Sequence, residues 1–116
     1  MIVEKLKYTI WAADAERCAH FYQTVFSAEV ARKNPHITEL AVAGGLIALH
    51  GGGEANHQTW TGLTFQVADV VAGAAEVIAA GGKCDREPQP ENGEAPHIAM
   101  CEDTDGNQIM LSRARS

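Results

Sequence analysis

The sequence has no long apolar run. Its longest, Leu40 to Leu49, is interrupted by Gly44-Gly45 and falls short of the about 20 residues that cross a bilayer. Positive charge is also scarce: nine Lys and Arg stand against fifteen Asp and Glu, a formal net charge of −6. Neither nucleic-acid phosphates nor an anionic membrane attract such a molecule, so neither is expected as a partner. Cysteines are few and odd in number. Cys18, Cys84 and Cys101 lack metal-ligand spacing, which points to free or buried thiols in a reducing compartment. The three serines, Ser27, Ser112 and Ser116, fall in no G-x-S-x-G elbow. Gly51-Gly52-Gly53 is followed by no Gly-Lys-Ser/Thr and makes no phosphate loop. No signal peptide is read at the start, where Glu4, Lys5 and Lys7 break up the apolar residues; a cytoplasmic protein is expected.

What is present is a repeated pattern. A hydrophobic share of 46% over 116 residues fits one compact domain, 1–116, with a modest core. Leu6 to Trp11 reads as a strand and Asp14 as a helix N-cap with Glu16 in the first turn. Cys18, Phe21, Tyr22 and Val25 follow as a buried stripe. Three short strands come next: Glu29 to Arg32, Ile37 to Val42 and Leu46 to His50. Asn34-Pro35 and the hairpin link Gly44-Gly45 separate them. After the polar connector Gly51 to Gln58 the series recurs. Gly62 to Val67 is a strand, Asp69 an N-cap, and Val70, Ala74, Val77 and Ile78 a stripe that Gly81-Gly82 ends. Lys83 to Glu87, His97 to Cys101 and Gln108 to Ser112 are the remaining strands. Thr9 to Asp14 lies over Thr64 to Asp69 at an offset of 55, while Leu49 lies over Leu111 at 62. The seven extra residues fall in the loop Pro88 to Pro96. The chain is thus a duplicated βαβββ unit, repeat one about 1–53 and repeat two about 60–116.

Ahead of the last strand stands Asp103-Thr104-Asp105-Gly106-Asn107-Gln108-Ile109-Met110-Leu111. Gly and Asn tolerate positive φ, so Asp105-Gly106-Asn107 is turn chemistry. Motif and duplication together resemble the vicinal oxygen chelate superfamily, the glyoxalase, bleomycin-resistance and ring-cleaving dioxygenase group. Thr104 stands where Pro is usual there, and Met110 where many relatives carry a metal-binding Glu. The resemblance covers nearly the whole chain. It implies an α+β fold, with two βαβββ repeats forming a curved mixed sheet with a concave cleft and the helices on the convex face. A sheet this small leaves edges that pairing would cover, so a homodimer is expected. Asp103, Asp105 and Asn107 also mimic the start of a calcium loop, but Gln108 stands where Gly is needed and Ala114 where the bidentate Glu is.

Strand alternation sorts residues onto two faces. Leu6, Tyr8, Ile10, Ile47, Leu49, Leu63, Phe65, Val67, Ile109 and Leu111 make the face for the helices. Lys7, Thr9, Trp11, Ala48, His50, Gly62, Thr64, Gln66, Gln108, Met110 and Ser112 make the other. That face would meet water in an ordinary half-solvated sheet; the resemblance turns it into the cleft. Metal-dependent members take one ligand from the first and one from the last strand of each repeat, and the matching positions are Lys7, Ala48, Gly62 and Met110. An ammonium, a methyl and a bare glycine offer no ligand, and a thioether suits hard divalent ions poorly. No metal and no cofactor are therefore expected, metal-dependent glyoxalase or dioxygenase activity is not expected, and catalysis of any kind stays open.

The leading expectation is a metal-free protein that binds, and sequesters, a small organic molecule such as a drug or metabolite. Trp11 would stack on it. Lys7, Thr9, His50, Thr64, Gln66 and Gln108 would give polar contacts, Met110 an adaptable wall, and Trp60, on the connector, a cap. The alternative is a lyase, isomerase or dioxygenase-type enzyme that uses His50 as base or recruits a metal through non-standard ligands. A third reading is an interaction module without a ligand. His20, on the first helix, and His36 and His57, in loops, read as surface residues. His97 and Cys101 are four apart on one strand, roughly 13 Å, too far for direct proton transfer.

Overall fold

Asp14 and Asp69 start two helices, and each helix crosses a sheet built from the strands on either side of it. The computed structural model describes residues 1–53 and 59–114. In chain order the elements are β1 (Lys7–Ala12), α1 (Ala15–Phe26), β2 (Glu29–Lys33), β3 (Ile37–Val42), β4 (Gly45–Gly51), β5 (Thr59–Gln66), α2 (Val70–Ala79), β6 (Lys83–Cys84), β7 (Ile98–Glu102) and β8 (Asn107–Ser112). The strand order β1-β4-β3-β2 of the first module recurs as β5-β8-β7-β6 in the second. β1 runs parallel to β4 and β5 parallel to β8; the other neighbours are antiparallel. This is an α+β fold of two βαβββ repeats. Among the described residues no helix is long and apolar enough to cross a membrane.

The capping aspartates do what their position predicts. Asp14 accepts the Arg17 N–H at 3.0 Å, and Asp69 accepts those of Val71 and Ala72 at 2.9 and 3.1 Å. α1 buries Cys18, Phe21 and Tyr22, and α2 buries Val70, Ala74 and Val77. Two expected core residues stay outside. Ile78 is 55% exposed, because β6 is only two residues long and the sheet stops short of the helix margin. Leu6 is 86% exposed, because it precedes β1 and has no strand opposite it. β6 itself ends well before Glu87, where Arg86-Glu87-Pro88 offers charge and then a missing N–H.

The modules do not merge into one curved sheet. They form two four-stranded mixed sheets, whose edge strands β1 and β5 both border a seam. Tyr8 stands in that seam, its hydroxyl 3.7 Å from where a side chain at Gly62 would begin. Paired strands must approach to about 4.8 Å, and a phenol ring between them prevents it. β5 also slips its register against β8 between Trp60 and Thr64. There Gly62 takes φ +75° and Thr61 donates its hydroxyl to the Gln108 carbonyl at 2.8 Å.

Packing and one buried polar lock join the modules. Phe26, at the end of α1, stacks on Phe65 of β5 with ring centroids 3.7 Å apart. The lock is the Asp103–Asn107 turn. Asp103 accepts hydrogen bonds from the Tyr22 hydroxyl at 2.8 Å, the Asn107 amide at 2.9 Å and the Cys18 thiol at 3.4 Å. It also accepts the N–H groups of Asp105 and Asn107 at 2.8 and 3.0 Å. Asp105 takes the Ala13 and Asp14 N–H groups at 3.1 and 3.4 Å, and Asn107 donates to the Trp11 carbonyl at 3.1 Å. A turn of the second module thereby fixes the β1–α1 junction of the first. Burial, then the charge of Asp103, pushes the Tyr22 hydroxyl and the Cys18 thiol up from their ordinary pKa values, so both remain donors.

Candidate functional site

On the first sheet, the face turned away from the helices carries rows set by strand register. Trp11, His50 and Ile37 share one row; Thr9, Ala48 and Glu39 share the next. Ala48 is small, and the Lys7 chain reaches past it to place Nζ 2.6 Å from Glu39 Oε2. Arg32 reaches the same oxygen at 3.3 Å. The Glu39 side chain is only 2% exposed. The Lys7 hydrogen bond above all, helped by the Arg32 charge, holds its carboxyl below the ordinary 4.5 against the opposing effect of burial.

His50 lies tilted against Trp11, ring centroids 4.3 Å apart and planes at 41°. Its Nδ1 lies 2.7 Å from the Gly51 carbonyl oxygen. A carbonyl can only accept, so Nδ1 carries the hydrogen, and in the neutral ring Nε2 is left with its lone pair. Residue type and backbone together thus fix the tautomer of a base.

Two depressions follow the seam on either side of Tyr8. One, of about 420 Å³, is lined by Tyr8, Thr9, Trp11, Gly53, Trp60 and Thr61 among others. The second, of about 660 Å³, is lined by Lys7, Tyr8, Phe26, Leu46, Thr64 and Gln66 among others. The predicted residues divide between them. Thr9, Trp11 and Trp60 belong to the first; Lys7, Thr64 and Gln66 to the second. His50, Gln108 and Met110 line neither: His50 lies against Trp11, Gln108 is in register with Trp60, and Met110 with Thr64. The structure splits these residues between two depressions and does not close them round a single cleft. Trp60 belongs to β5, not to the connector, and is 54% exposed, as Trp11 is.

Tyr8 and Arg32 escape the sequence patterns used above. Alternation gives Tyr8 to the helix face, yet as an edge-strand residue it stands in the seam. Glu39 was legible from alternation along Ile37–Val42, which sets it beside Ala48. Arg32 follows from Glu39, its register partner. Among the described residues the other histidines do not join the site. His97 is buried, with Nε2 3.0 Å from Glu94 and 3.2 Å from Arg113, so it braces the loop ahead of β7. His20 and His36 are exposed, and His57 lies outside the described residues.

A scan against family models matches residues 6–111 to "Glyoxalase/Bleomycin resistance protein/Dioxygenase superfamily". The chain belongs to this superfamily. No curated protein sequence matches it. Among solved structures, the fosfomycin resistance protein FosX from Listeria monocytogenes, in its monoclinic form at pH 6.5, is 21% identical. That match covers 99% of this chain and 94% of the other, with a TM-score of 0.80. A FosX variant from the same organism, complexed with Mn(II) and 1S,2S-dihydroxypropylphosphonic acid, is 20% identical over 99% and 95% of the two chains, with a TM-score of 0.78. FosX from Mesorhizobium loti is 20% identical over 98% and 95%, with a TM-score of 0.76.

These matches correct the leading expectation. The fold falls repeatedly on FosX, including complexes with Mn(II). The expectations of metal-free sequestration and of no metal-dependent activity are both overturned; the enzyme alternative is the better supported. The side chains at the superfamily's ligand positions nevertheless do not make a metal shell. Lys7 is an ammonium already paired with Glu39, Ala48 has a methyl, and Met110 a thioether. Gly62 has no side chain, and its φ of +75° would strain any that replaced it. Among the described residues no three His, Cys, Asp or Glu side chains gather as metal ligands.

Proposed function

We propose that this superfamily member is an enzyme that moves a proton on a small, flat organic substrate lying against Trp11, with His50 as the base. The observation that carries the reading is the 2.7 Å hydrogen bond from His50 Nδ1 to the Gly51 carbonyl, which leaves Nε2 as an acceptor beside Trp11. The reaction class is lyase or isomerase. Nε2 takes a proton from carbon next to a carbonyl, and the C–H electron pair moves into an enolate. The proton then returns to a neighbouring carbon, or leaves with an expelled group. Lys7, Glu39 and Arg32 together carry one net positive charge in the row next to His50, about 7 Å along the strand, where it favours a developing enolate oxygen. Trp11 and Trp60 supply aromatic faces; Thr9, Thr64, Gln66 and Gln108 supply directional contacts, and Met110 an adaptable wall. The working form in this reading is a homodimer in the cytoplasm; the exposed Leu6 and Val30 and the outer edge strands β2 and β6 support the pairing.

The test is proton exchange. Aromatic ketones and acids are incubated with the protein in deuterated water and followed by NMR at the α-carbon. Exchange should be catalysed by the wild type and fall by about 10²–10⁴-fold in His50→Ala. Exchange that survives in His50→Ala removes the base from the reading. Parallel runs with Mn(II) and with a chelator separate the second branch: a rate that needs Mn(II) would favour an ion held by non-standard ligands such as His50 and Glu39.

A further inference from the structure

Two of the three cysteines face each other on the second sheet, Cys101 opposite Ile109 and therefore on the face that alternates away from Gln108 and Met110. Cys84 of β6 is the direct partner of Cys101 of β7, and their sulfurs are 3.5 Å apart. The Asp85 N–H donates to the Met100 carbonyl at 3.0 Å. That bond flanks the pair, which makes Cys84 and Cys101 a non-hydrogen-bonded pair of the antiparallel ladder. Such partners have Cα atoms about 4.5 Å apart, inside the roughly 4.4–6.8 Å that a disulfide spans. Both are free thiols, Cys101 buried and Cys84 half-buried. Burial, then the hydrogen bond shared with Cys84, pushes the Cys101 thiol up from its ordinary pKa. An oxidant therefore meets Cys84 first.

We infer that Cys84 and Cys101 form a peroxide-responsive dithiol, a modification site independent of the proposed catalysis. The Cys84 thiolate attacks one peroxide oxygen, the O–O bond breaks, and water or an alcohol leaves. Cys84 is then a sulfenic acid. The Cys101 sulfur attacks it, the hydroxyl departs with the Cys101 proton as water, and the S–S bond closes. Two thiols are oxidised by two electrons and one peroxide is reduced. The bond ties β6 to β7 and encloses the loop that carries the second module's extra residues. Cys18, buried against Asp103 on the other module, has no thiol partner and serves as an internal control.

The native protein is treated with hydrogen peroxide, alkylated, and digested with trypsin without reductant. The expected product is the peptide Cys84–Arg86 joined to Glu87–Arg113, two hydrogens lighter than the separate peptides, with Cys18 still a thiol. The thermal midpoint should rise by about 10 °C, since the closed loop is short and the protein small, and fall back on adding a thiol reductant. In Cys101→Ala the same treatment should leave Cys84 as a sulfenic acid that dimedone traps. Cys84 driven to sulfinic acid in the wild type with no cross-link, a cross-link through Cys18, or an unmodified Cys84 in Cys101→Ala would each overturn the inference.

Discussion

The first sheet puts Trp11, Lys7, His50 and Glu39 on its free face; the second puts Gln66, Gly62, Ser112 and Met100 at the matching places. Lys7, His50 and Glu39 each have an uncharged counterpart in the second, while Arg32, opposite Glu39, is matched by an acid, Asp85, opposite Met100. The turns show the reverse. Val42, Ala43 and Gly45 of the first module stand where the second has Asp103, Asp105 and Asn107. Both turns take positive φ, Gly44 at +79° and Gly106 at +83°, but only the second carries carboxylates into the core. The backbone repeats because N-caps, turn residues and apolar alternation repeat. The free-face chemistry does not repeat, because those side chains contribute little to folding either module. One half carries the candidate chemistry and the other carries the lock that holds it in place.

The largest effect should come from breaking that lock. Asp103 is 3% exposed and accepts bonds from two side-chain donors, a thiol and two backbone N–H groups. Asp103→Ala strands all of them, and the loss of a buried charge with its partners costs about 3–5 kcal/mol. Urea unfolding followed by tryptophan fluorescence measures it. A loss below about 1 kcal/mol would mean that side-chain packing such as Phe26 on Phe65, and not the turn, joins the modules.

This contrast explains what the sequence could and could not disclose. The constant offset between Asp14 and Asp69 located both helices, because capping is a local event. The Asp105-Gly106-Asn107 turn located the last strand for the same reason. The seam was hidden, since it depends on Tyr8 reaching Gly62 across modules, and no local pattern encodes that. The β5 slip between Trp60 and Thr64 was hidden too, because register against β8 is set by a strand more than forty residues further on. His50 was legible as a cleft-face residue, but its tautomer depends on the Gly51 carbonyl.

A smaller effect is expected on binding. Trp11 is 54% exposed, lines the first depression and lies tilted against His50; its counterpart Gln66 lines the second. An aromatic anchor is worth about 2 kcal/mol or more when a ligand covers it. Trp11→Ala should therefore weaken a ligand found by thermal-shift screening by more than about tenfold, and Gln66→Ala by less. Equal effects would show that the two modules contribute alike and would remove the asymmetry between them.

The smallest effect concerns the charge cluster that the second module lacks. Glu39 has its carboxyl lowered, first by the Lys7 hydrogen bond. The folded state then binds that proton less readily than the unfolded state, so the contribution to stability is fully present above pH 4.5 and is lost as pH falls through the lowered value. Lys7→Met keeps the aliphatic length and removes the largest cause of the shift. Arg32 and the more weakly acting Lys5 remain to oppose burial, so the Glu39 carboxyl moves back up and takes its proton at a higher pH. Thermal midpoints compared across pH should show the variant below the wild type near neutrality, with the gap closing below pH 4.5 as Glu39 is protonated in both. A gap that stays constant through that range would assign the role of Lys7 to its carbon chain packed over Ala48 rather than to its charge, and the first module would then differ from the second in His50 and Trp11 alone.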